Sequence, residues 1–586
     1  MLKFLVRLFA FLGFLVFAGI VAAIVFAVRR EPTLPERIVL ELDLDQPLAD
    51  SPSPGSLSAL FGHEATLRDM LDTLERARTD RRVRGLVARV GGHEMGFAQA
   101  QDLRAAIERF RATGRFAIAF SEGFGEGGSG NRSYYLASAF DEVWLQPLGM
   151  VSLTGLAAEV PFARDALDWL GLQPQVQQRE EYKSFAETFT QRDFSPAHRE
   201  EMEALLADLT QQIVDGVARG RRLDAGAVRA LVDQAPLLEQ EALQARLVDR
   251  IGYRDEAHAE GERRAGGAET VDALEYLDIA GPPNDDGPTV ALVTVAGTIS
   301  RGESGGGGPV GELTAGSDSV VEALNDAIDD DDVRAILLRI DTGGGSVTAS
   351  EAIRRAVVRA REAGKPVIAS MGDMAASGGY WIAMNTDRIV AAPGTITGSI
   401  GVIAGKMSAG ALSEKLGVRW GVIEEGKNAG MWSLTRPFDE AEMARLSAVA
   451  DASYAAFLTQ VGAARKLPPD KVRAAARGRA WTGNQALALG LVDELGDQET
   501  ALARTRQAIG LAPDAPVTLT PFPAPKSTLE EVMDLASGKG DLVQGLAVLR
   551  QVAALKPWLA ALRPIVEATA PGTRFASPPG GLVPGR

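Results

Sequence analysis

Hydrophobic positions in the second half of the chain follow the pattern of an α/β protein. Residues 289–295 and 334–340 form apolar runs of strand length, which are typical of buried parallel strands. Residues 349–362 carry apolar side chains at helical spacing, residues 366–370 form another strand-length run, and residues 377–384 predict a short helix after a tight turn. Because parallel strands end at one edge of a sheet, we expect a site in the loops that follow them.

The same pattern occurs twice in the chain. VRGLVARV at 83–90 resembles VRAILLRI at 333–340, and LVDRIG at 247–252 matches LVDELG at 491–496. A third pair of similar segments lies between them in the same order. Three ordered matches with nearly constant spacing predict two copies of one α/β domain.

This repeat divides the chain into parts, with a boundary in the turn-rich residues 281–288. The parts expected from the sequence are an anchor at 1–30, an N-terminal repeat at 31–280, a C-terminal repeat at 288–512 and a tail at 513–586. In the tail we expect a Pro-rich link, an Ala- and Leu-rich helical segment at 528–568 and a disordered end.

The first residues of the chain predict a transmembrane helix. Residues 8–28 carry no charge, Lys3 and Arg7 precede them, and Arg29 and Arg30 follow. A run of this length can cross a bilayer, and it exceeds the apolar core of a cleavable signal peptide. We therefore expect an uncleaved anchor, with a buried soluble helix as the alternative. Basic residues at both ends leave its orientation open.

Composition and charge exclude several classes of function. The 586 residues include 61 basic and 77 acidic side chains, a net charge of −16, which disfavours nucleic-acid binding. The chain has no cysteine, so disulfides, Cys-ligated metals and thiol catalysis are excluded. The histidines are His63, His93, His198 and His258, all in the N-terminal repeat. HEMGF at 93–97 lacks the second histidine of the zinc-protease motif, which disfavours a metalloprotease.

Two glycine-rich loops follow consecutive predicted strands of the C-terminal repeat, DTGGGS at 341–346 and MAASGGY at 374–380. Glycines let backbone N–H groups approach a ligand, and helix N-termini favour negative charge, so the two loops could form an oxyanion hole. Ser377 lies among small residues at the start of the predicted helix and is the candidate nucleophile. Purely structural turns are the alternative interpretation of both loops.

A serine nucleophile needs a base, and the C-terminal repeat has no histidine. A buried lysine can serve if burial lowers its pKa enough to leave the amine neutral. Only 11 of the 61 basic residues are lysines, and Lys183 is the single lysine between residues 4 and 364. Because arginine does not deprotonate near neutral pH, Lys183 is the candidate base. The alternative is a surface lysine without a role.

Several motifs together resemble the long, duplicated form of the signal peptide peptidase A (protease IV) family. They are GGSVTASE at 344–351, MAASGGYW at 374–381, TGSIG at 397–401 and the repeated LVDxxG ending, with EYKS in the expected place. The resemblance covers roughly residues 1–512. It implies a membrane-anchored serine protease of the bacterial inner membrane, with two ClpP/crotonase-like domains that form a homotetrameric bowl in the periplasm. It also implies signal peptides as substrates, and we expect neither a cofactor nor a metal.

Matched position by position, the resemblance implies a role for five residues. Ser377 would be the nucleophile and Lys183, from the other repeat, the general base. Ser399 would orient the lysine, and the N–H groups of Gly344 and Gly378 would bind the oxyanion.

The chain departs from the family pattern at two places. Residues 342–345 read Thr-Gly-Gly-Gly where the family has Ser-Pro-Gly-Gly, and losing the proline makes the loop more flexible. Asp373 stands where the family commonly has glycine, which adds a negative charge near the nucleophile.

The N-terminal repeat is expected to be catalytically degenerate, since the position corresponding to Ser377 holds Asn131. Lys427 corresponds to Lys183 and is a rival base. It stands beside two glutamates that favour its protonated form, so we favour Lys183. Two other functions remain as alternatives, a crotonase-type acyl-CoA enzyme and an inactive membrane scaffold.

Overall fold

The computed structural model describes residues 33–50, 65–92, 95–305 and 313–524. Within these ranges, no helix combines the length and the apolar character needed to cross a membrane. The predicted anchor at 8–28 and the predicted helical segment at 528–568 lie outside the described residues. The structure therefore bears on the two repeats.

The N-terminal repeat is built on a six-stranded sheet whose paired strands all run parallel, in the spatial order β8-β4-β3-β2-β1-β9. Its described strands are β1 (Ile38–Asp43), β2 (Val83–Arg89), β3 (Phe116–Ser121), β4 (Glu142–Leu145), β5 (Met150–Val151), β6 (Gln173–Gln178), β7 (Leu237–Leu238), β8 (Arg250–Ile251) and β9 (Glu269–Asp272). Its described helices are α1 (Leu67–Thr79), α2 (Phe97–Arg111), α3 (Asn131–Ala137), α4 (Arg164–Leu170), α5 (Glu187–Thr190), α6 (Pro196–Arg221), α7 (Ala225–Val232), α8 (Glu239–Gln244), α9 (Arg254–Arg264) and α10 (Ala273–Ala280).

The C-terminal repeat is built on an eight-stranded sheet, parallel except where β18 meets β16. Its described strands are β10 (Thr289–Ala296), β11 (Thr298–Ser300), β12 (Thr314–Gly316), β13 (Val333–Thr342), β14 (Val367–Ala376), β15 (Arg388–Ala391), β16 (Ile396–Gly398), β17 (Ile403–Ser408), β18 (Ala480–Thr482), β19 (Glu494–Leu495) and β20 (Thr518–Phe522). Its described helices are α11 (Ser317–Asp329), α12 (Val347–Glu362), α13 (Gly378–Ala383), α14 (Gly410–Lys415), α15 (Glu440–Arg465), α16 (Pro469–Ala475), α17 (Gly483–Ala488) and α18 (Gln498–Ala508).

The two sheets repeat one strand order. From one edge, the first sheet is β9-β1-β2-β3-β4-β8, and the corresponding strands of the second are β20-β10-β13-β14-β15-β19. The register agrees as well: β1 pairs with β2 from Val83, β10 pairs with β13 from Val333, and both pairs show a register shift one residue later. The α/β prediction is confirmed, and the duplication seen in the sequence is visible in the topology.

The strand before the candidate nucleophile is longer than the sequence predicts. The pattern predicts a strand at 366–370, because Gly372 and Asp373 are poor strand formers. In the structure β14 continues to Ala376, since its last residues pair with β16. The C-terminal repeat also extends past its predicted end at residue 512, because β20 pairs with β10.

One strand from each repeat contributes to an antiparallel ribbon that joins the two repeats. β6 of the N-terminal repeat pairs along its whole length with β17 of the C-terminal repeat. Beside this ribbon, Arg179 donates a hydrogen bond to Asp451 on α15 at 2.6 Å. Lys183 follows β6, and Ser399 precedes β17, so the ribbon carries residues of both repeats to one place.

Buried charges join the repeats at a second place. The Arg339 guanidinium on β13 lies 2.9 Å from the Asp50 carboxylate and 3.2 Å from the Asp102 carboxylate on α2, and all three side chains are buried. Burial raises the pKa of Asp102 to about 7, an effect that the Arg339 charge opposes. An unpaired charge left here would be strongly destabilising, so these contacts hold the repeats in one arrangement.

Asp373 caps a helix of the other repeat. Its Oδ1 accepts hydrogen bonds from the N–H groups of Ala98 at 2.7 Å and Gln99 at 3.3 Å, in the first turn of α2. The N-cap residue that precedes this helix, Gly96, has no side chain that could accept these hydrogen bonds. The sequence led us to expect that Asp373 adds a negative charge near the nucleophile. In the structure, this carboxylate faces the positive end of α2.

This contact predicts that Asp373→Ala lowers the stability of the protein by about 1 kcal/mol, the usual cost of losing a helix cap. Thermal unfolding of the purified protein measures the change. Asp326→Ala, which removes an exposed carboxylate from α11, is the matched control and should leave the midpoint almost unchanged. Equal midpoints for the two variants would contradict the capping role.

Candidate active site

Ser377 stands at the turn between β14 and α13, in a strained backbone conformation. Its φ of 54° and ψ of −111° lie in a region that a non-glycine residue adopts at a cost of about 1–3 kcal/mol. Its N–H group donates to the carbonyl of Gly398 on β16 at 2.8 Å, which fixes the turn. The sharp turn leaves the side chain partly exposed, as a nucleophile requires.

Lys183 reaches Ser377 from the N-terminal repeat. Its Nζ lies 3.1 Å from Ser377 Oγ, 2.8 Å from Ser399 Oγ and 3.0 Å from the Ser399 carbonyl oxygen. The side chain is 7% exposed. The sequence thus singled out three residues that the structure brings into direct contact across the two repeats.

The amine is held in place by close backbone packing. A Cβ atom on Gly478 would lie 2.5 Å from the Lys183 backbone nitrogen, and one on Gly401 would lie 3.1 Å from Lys183 Cδ. Ser399 has a φ of 49°, and its N–H group donates to the Arg479 carbonyl at 2.7 Å. The lysine chain therefore lies in a slot that larger residues would fill.

Burial lowers the pKa of Lys183 to about 8, because the charged ammonium loses solvation. The carboxylate of Glu201 opposes this effect. At this pKa, about a tenth of the amine is neutral at pH 7. The neutral fraction of the Lys183 amine, the form that could act as a base, grows as the pH rises through 8.

The two glycine loops meet at Ser377. A Cβ atom on Gly344, which has a φ of 102°, would lie 2.6 Å from the Gly378 nitrogen, and one on Gly378 would lie 2.5 Å from Ser350 Oγ. In this structure the Gly344 N–H group donates to Thr342 Oγ1 at 3.0 Å. The loops are thus adjacent, as expected, with one of the two expected oxyanion donors bonded within its own loop.

The rival residues do not reach this place. Lys427 is exposed. His198 is buried against Glu187, with 3.0 Å between Nδ1 and Oε2, and His258 lies 3.3 Å from a Glu41 oxygen. His63 and His93 lie outside the described residues. Of the candidates that the structure describes, only Lys183 is found beside Ser377.

The counterpart site in the N-terminal repeat is closed. Asn131 is fully buried, its amide donates to Ser129 Oγ at 2.7 Å and to the Gly155 carbonyl at 2.6 Å, and its carbonyl accepts from the Gly155 N–H group at 3.1 Å. A carboxamide satisfied in this way is no nucleophile. Among the described residues, no cluster of His, Asp and Glu side chains fits a metal ion.

Glu201 on α6 is the residue near the site that the sequence analysis did not identify. It is buried, and its Oε1 accepts from the Ala480 N–H group at 2.5 Å. One signal was present in the sequence, since Glu201 lies one helical turn before the buried Leu205, on the inward face of α6.

Comparison with known proteins finds related peptidases. The family model described as "Peptidase family S49" matches residues 125–266 and 359–512. Protease 4 of Salmonella typhi is 32% identical over 80% of this chain and 78% of its own length. Protease 4 of Haemophilus influenzae is 30% identical over 86% of this chain and 85% of its own length.

The chain belongs to peptidase family S49. A plant relative, named "Serine protease SPPA, chloroplastic", of Arabidopsis thaliana, is 28% identical over 84% of this chain and 72% of its own length. The resemblance to signal peptide peptidase A and protease IV is thereby confirmed, and the chain is a serine peptidase of family S49. The first matched segment contains Lys183 and the second contains Ser377.

The contact between the loops predicts a sharp difference between neighbouring glycines of this S49 peptidase. Gly344→Ala should lower the rate of peptide hydrolysis about 100-fold or more, because its φ is positive and its Cβ would collide with backbone. Gly343→Ala is the matched control, since its Cβ would meet only the flexible Met374 side chain at 3.0 Å. Steady-state hydrolysis of a fluorogenic peptide measures both, and equal rates would contradict the loop geometry.

Proposed function

We propose that this S49 peptidase hydrolyses peptide bonds with a Ser–Lys dyad, in which Ser377 is the nucleophile and Lys183 the general base. The observation that carries the proposal is the 3.1 Å separation between Lys183 Nζ and Ser377 Oγ, formed by a buried amine with a lowered pKa. Ser399 orients the amine through the contacts of its hydroxyl and carbonyl oxygens.

In the proposed mechanism, the neutral Lys183 amine takes the Ser377 proton while Oγ attacks the carbonyl carbon of the substrate. The resulting ammonium then gives this proton to the leaving amine as the C–N bond breaks. Water then attacks the acyl carbon and passes a proton to Lys183. As the ester bond to Ser377 breaks, the Lys183 ammonium gives this proton to Ser377 Oγ. The N–H groups of Gly344 and Gly378 hold the oxyanion, and for this step the substrate oxygen replaces Thr342 Oγ1 as the acceptor of the Gly344 N–H group.

We propose apolar peptide segments, notably signal peptides left after secretion, as substrates. An apolar cleft of about 250 Å³ lies along the ribbon, lined by residues of β6 and β17 and by residues that closely follow Lys183. Its lining includes Val176, Phe185, Phe189, Ile403 and Met407. An extended apolar segment would bury side chains in this cleft, which a polar segment would not.

The proposed cellular setting is the bacterial inner membrane, with the tandem ClpP/crotonase-like repeats in the periplasm. The uncharged run at 8–28 supports an anchor, and the lack of cysteine suits an oxidising compartment. In this setting, the enzyme lies where cleaved signal peptides remain.

We also propose a homotetramer, the number of subunits that the family resemblance implies. The unequal use of the repeated ribbon segments supports contact between copies. Within one chain, β17 pairs with β6. The counterpart of β6 in the C-terminal repeat is 417–422, the counterpart of β17 in the N-terminal repeat is 157–162, and both lack strand partners. Trp420 and Val422 are 59% and 58% exposed. Pairing of 417–422 with 157–162 of the next copy would repeat the internal ribbon head to tail and close a ring.

The dyad predicts a loss of activity for two variants and retained activity for a third. Ser377→Ala and Lys183→Ala should each lower peptide hydrolysis about 1000-fold or more, whereas the exposed Lys427→Ala should retain it within about twofold. Labelling of Ser377 with a fluorophosphonate measures the same dependence independently of the substrate. In the wild type, the labelling rate should rise with pH to a plateau, with a midpoint near 8 where Lys183 loses its proton.

Three results would reject this assignment. Labelling of Lys183→Ala at the wild-type rate would remove the lysine from the mechanism, and loss of activity with Lys427→Ala would favour the rival base. A wild-type protein that never labels at Ser377 would instead be an inactive scaffold.

The proposed ring predicts that Trp420→Asp lowers the oligomeric state, because a charge would replace an apolar contact between copies. Light scattering after size-exclusion chromatography measures the mass. Leu148→Asp is the matched control, since Leu148 is 87% exposed and lies outside both ribbon segments. An unchanged mass for Trp420→Asp would contradict the pairing of 417–422.

A further inference from the structure

Glu201 is a buried carboxylate that the catalytic mechanism above does not use. It lies on α6 of the N-terminal repeat, 4% exposed, at the contact with β18 of the C-terminal repeat. Its Oε1 accepts a hydrogen bond from the Ala480 N–H group at 2.5 Å, and its Oε2 accepts one from the Ser184 hydroxyl at 3.4 Å. Burying a carboxylate costs solvation free energy unless hydrogen bonds or nearby positive charges compensate for it.

The two hydrogen-bond partners of Glu201 lie next in sequence to Lys183 and to the residue that binds the Ser399 backbone. Ser184 directly follows Lys183 in the chain. Ala480 directly follows Arg479, whose carbonyl accepts the Ser399 N–H group at 2.7 Å. One carboxylate therefore holds the segment that carries the base and the segment that positions Ser399.

The charge of Glu201 also acts on the amine. The carboxylate favours the ammonium form of Lys183 and so opposes the effect of burial, while burial raises the pKa of Glu201 itself to about 7. The Ala480 N–H group and the Arg479 guanidinium favour the ionised carboxylate.

The other charged side chains around this place are paired with each other. Arg479 donates to the exposed Glu200 at 2.8 Å, and Tyr182 donates to the same carboxylate at 2.7 Å. Arg477 pairs with the exposed Glu181. Glu181, Glu200 and Arg477 are exposed, so water and salt screen their effect on the amine.

We propose that Glu201 is a positioning residue of this peptidase, whose carboxylate holds Ser184 and Ala480 around Lys183 and sets the pH above which Ser377 becomes reactive. This inference rests on the proposed Ser–Lys dyad and adds to it a group that regulates the base. Glu201 touches neither the substrate nor the reacting oxygen, so it acts through Lys183.

The test is the pH dependence of fluorophosphonate labelling at Ser377 in Glu201→Gln. The glutamine oxygen still accepts from Ala480, but the charge is gone, so Lys183 loses its proton more easily. The midpoint of the labelling profile should fall by about one pH unit, because the carboxylate that favours the ammonium form of Lys183 is absent. Glu203→Gln, which removes an exposed charge two residues away, is the matched control and should keep the wild-type midpoint.

Glu201→Asp separates the charge from the geometry. It keeps the charge on a shorter side chain, so the midpoint should stay near the wild-type value while the plateau falls about tenfold as the two hydrogen bonds are lost. If Glu201→Gln does not fold, the labelling plateau and the thermal unfolding of Glu201→Asp decide together. A wild-type plateau would overturn the positioning role, and so would a plateau that falls only along with the stability of the protein. A lowered plateau in a variant that is as stable as the wild type supports the role.

An unmoved midpoint in a folded Glu201→Gln would overturn the proposal, because a merely structural carboxylate lowers the plateau without shifting the profile. Failure of the dyad itself is distinguishable. In that case Lys183→Ala would label like the wild type, whatever Glu201→Gln does.

Discussion

Burial of the Lys183 amine against three oxygen atoms of two serines is the interaction on which the geometry of the site depends. An amine is a useful base only when it is partly neutral, and burial provides this by making the ammonium costly. The same burial requires that Gly401 and Gly478 lack side chains and that Ser377 and Ser399 hold positive φ angles. Strain and close packing are thus concentrated where the chemistry takes place.

Because the proposed base Lys183 and the proposed nucleophile Ser377 come from different repeats, the proposed site exists only if the repeats dock in one arrangement. The β6–β17 ribbon, the buried Arg339 pairs and the Asp373 cap all serve this purpose, and each joins an element of one repeat to an element of the other. A dyad within one domain would not need them. Interactions far from Ser377 therefore help to keep Lys183 Nζ at 3.1 Å from Ser377 Oγ.

Sequence patterns predicted the features that are local or repeated. Strand-length runs predicted β10 and β13, and helical spacing predicted α12, all to within two residues. The rarity of lysine pointed to Lys183 across the whole chain. The roles of Asp373 and Glu201 could not be predicted in this way, because both depend on how one repeat lies against the other. Likewise, nothing in a glycine-rich run shows whether the Gly344 N–H group faces a substrate or Thr342.

The two residues of the proposed dyad lie in different copies of the duplicated domain. The N-terminal repeat keeps its sheet but has Asn131 bonded into its own backbone, and the C-terminal repeat keeps the serine while its counterpart lysine, Lys427, is exposed. If copies join through the proposed ribbon, the geometry that brings Lys183 to Ser377 would carry Lys427 towards the closed Asn131 of the next copy. Because a satisfied carboxamide cannot attack, such a ring would hold one reactive site per chain, separated by inert contacts that serve assembly alone.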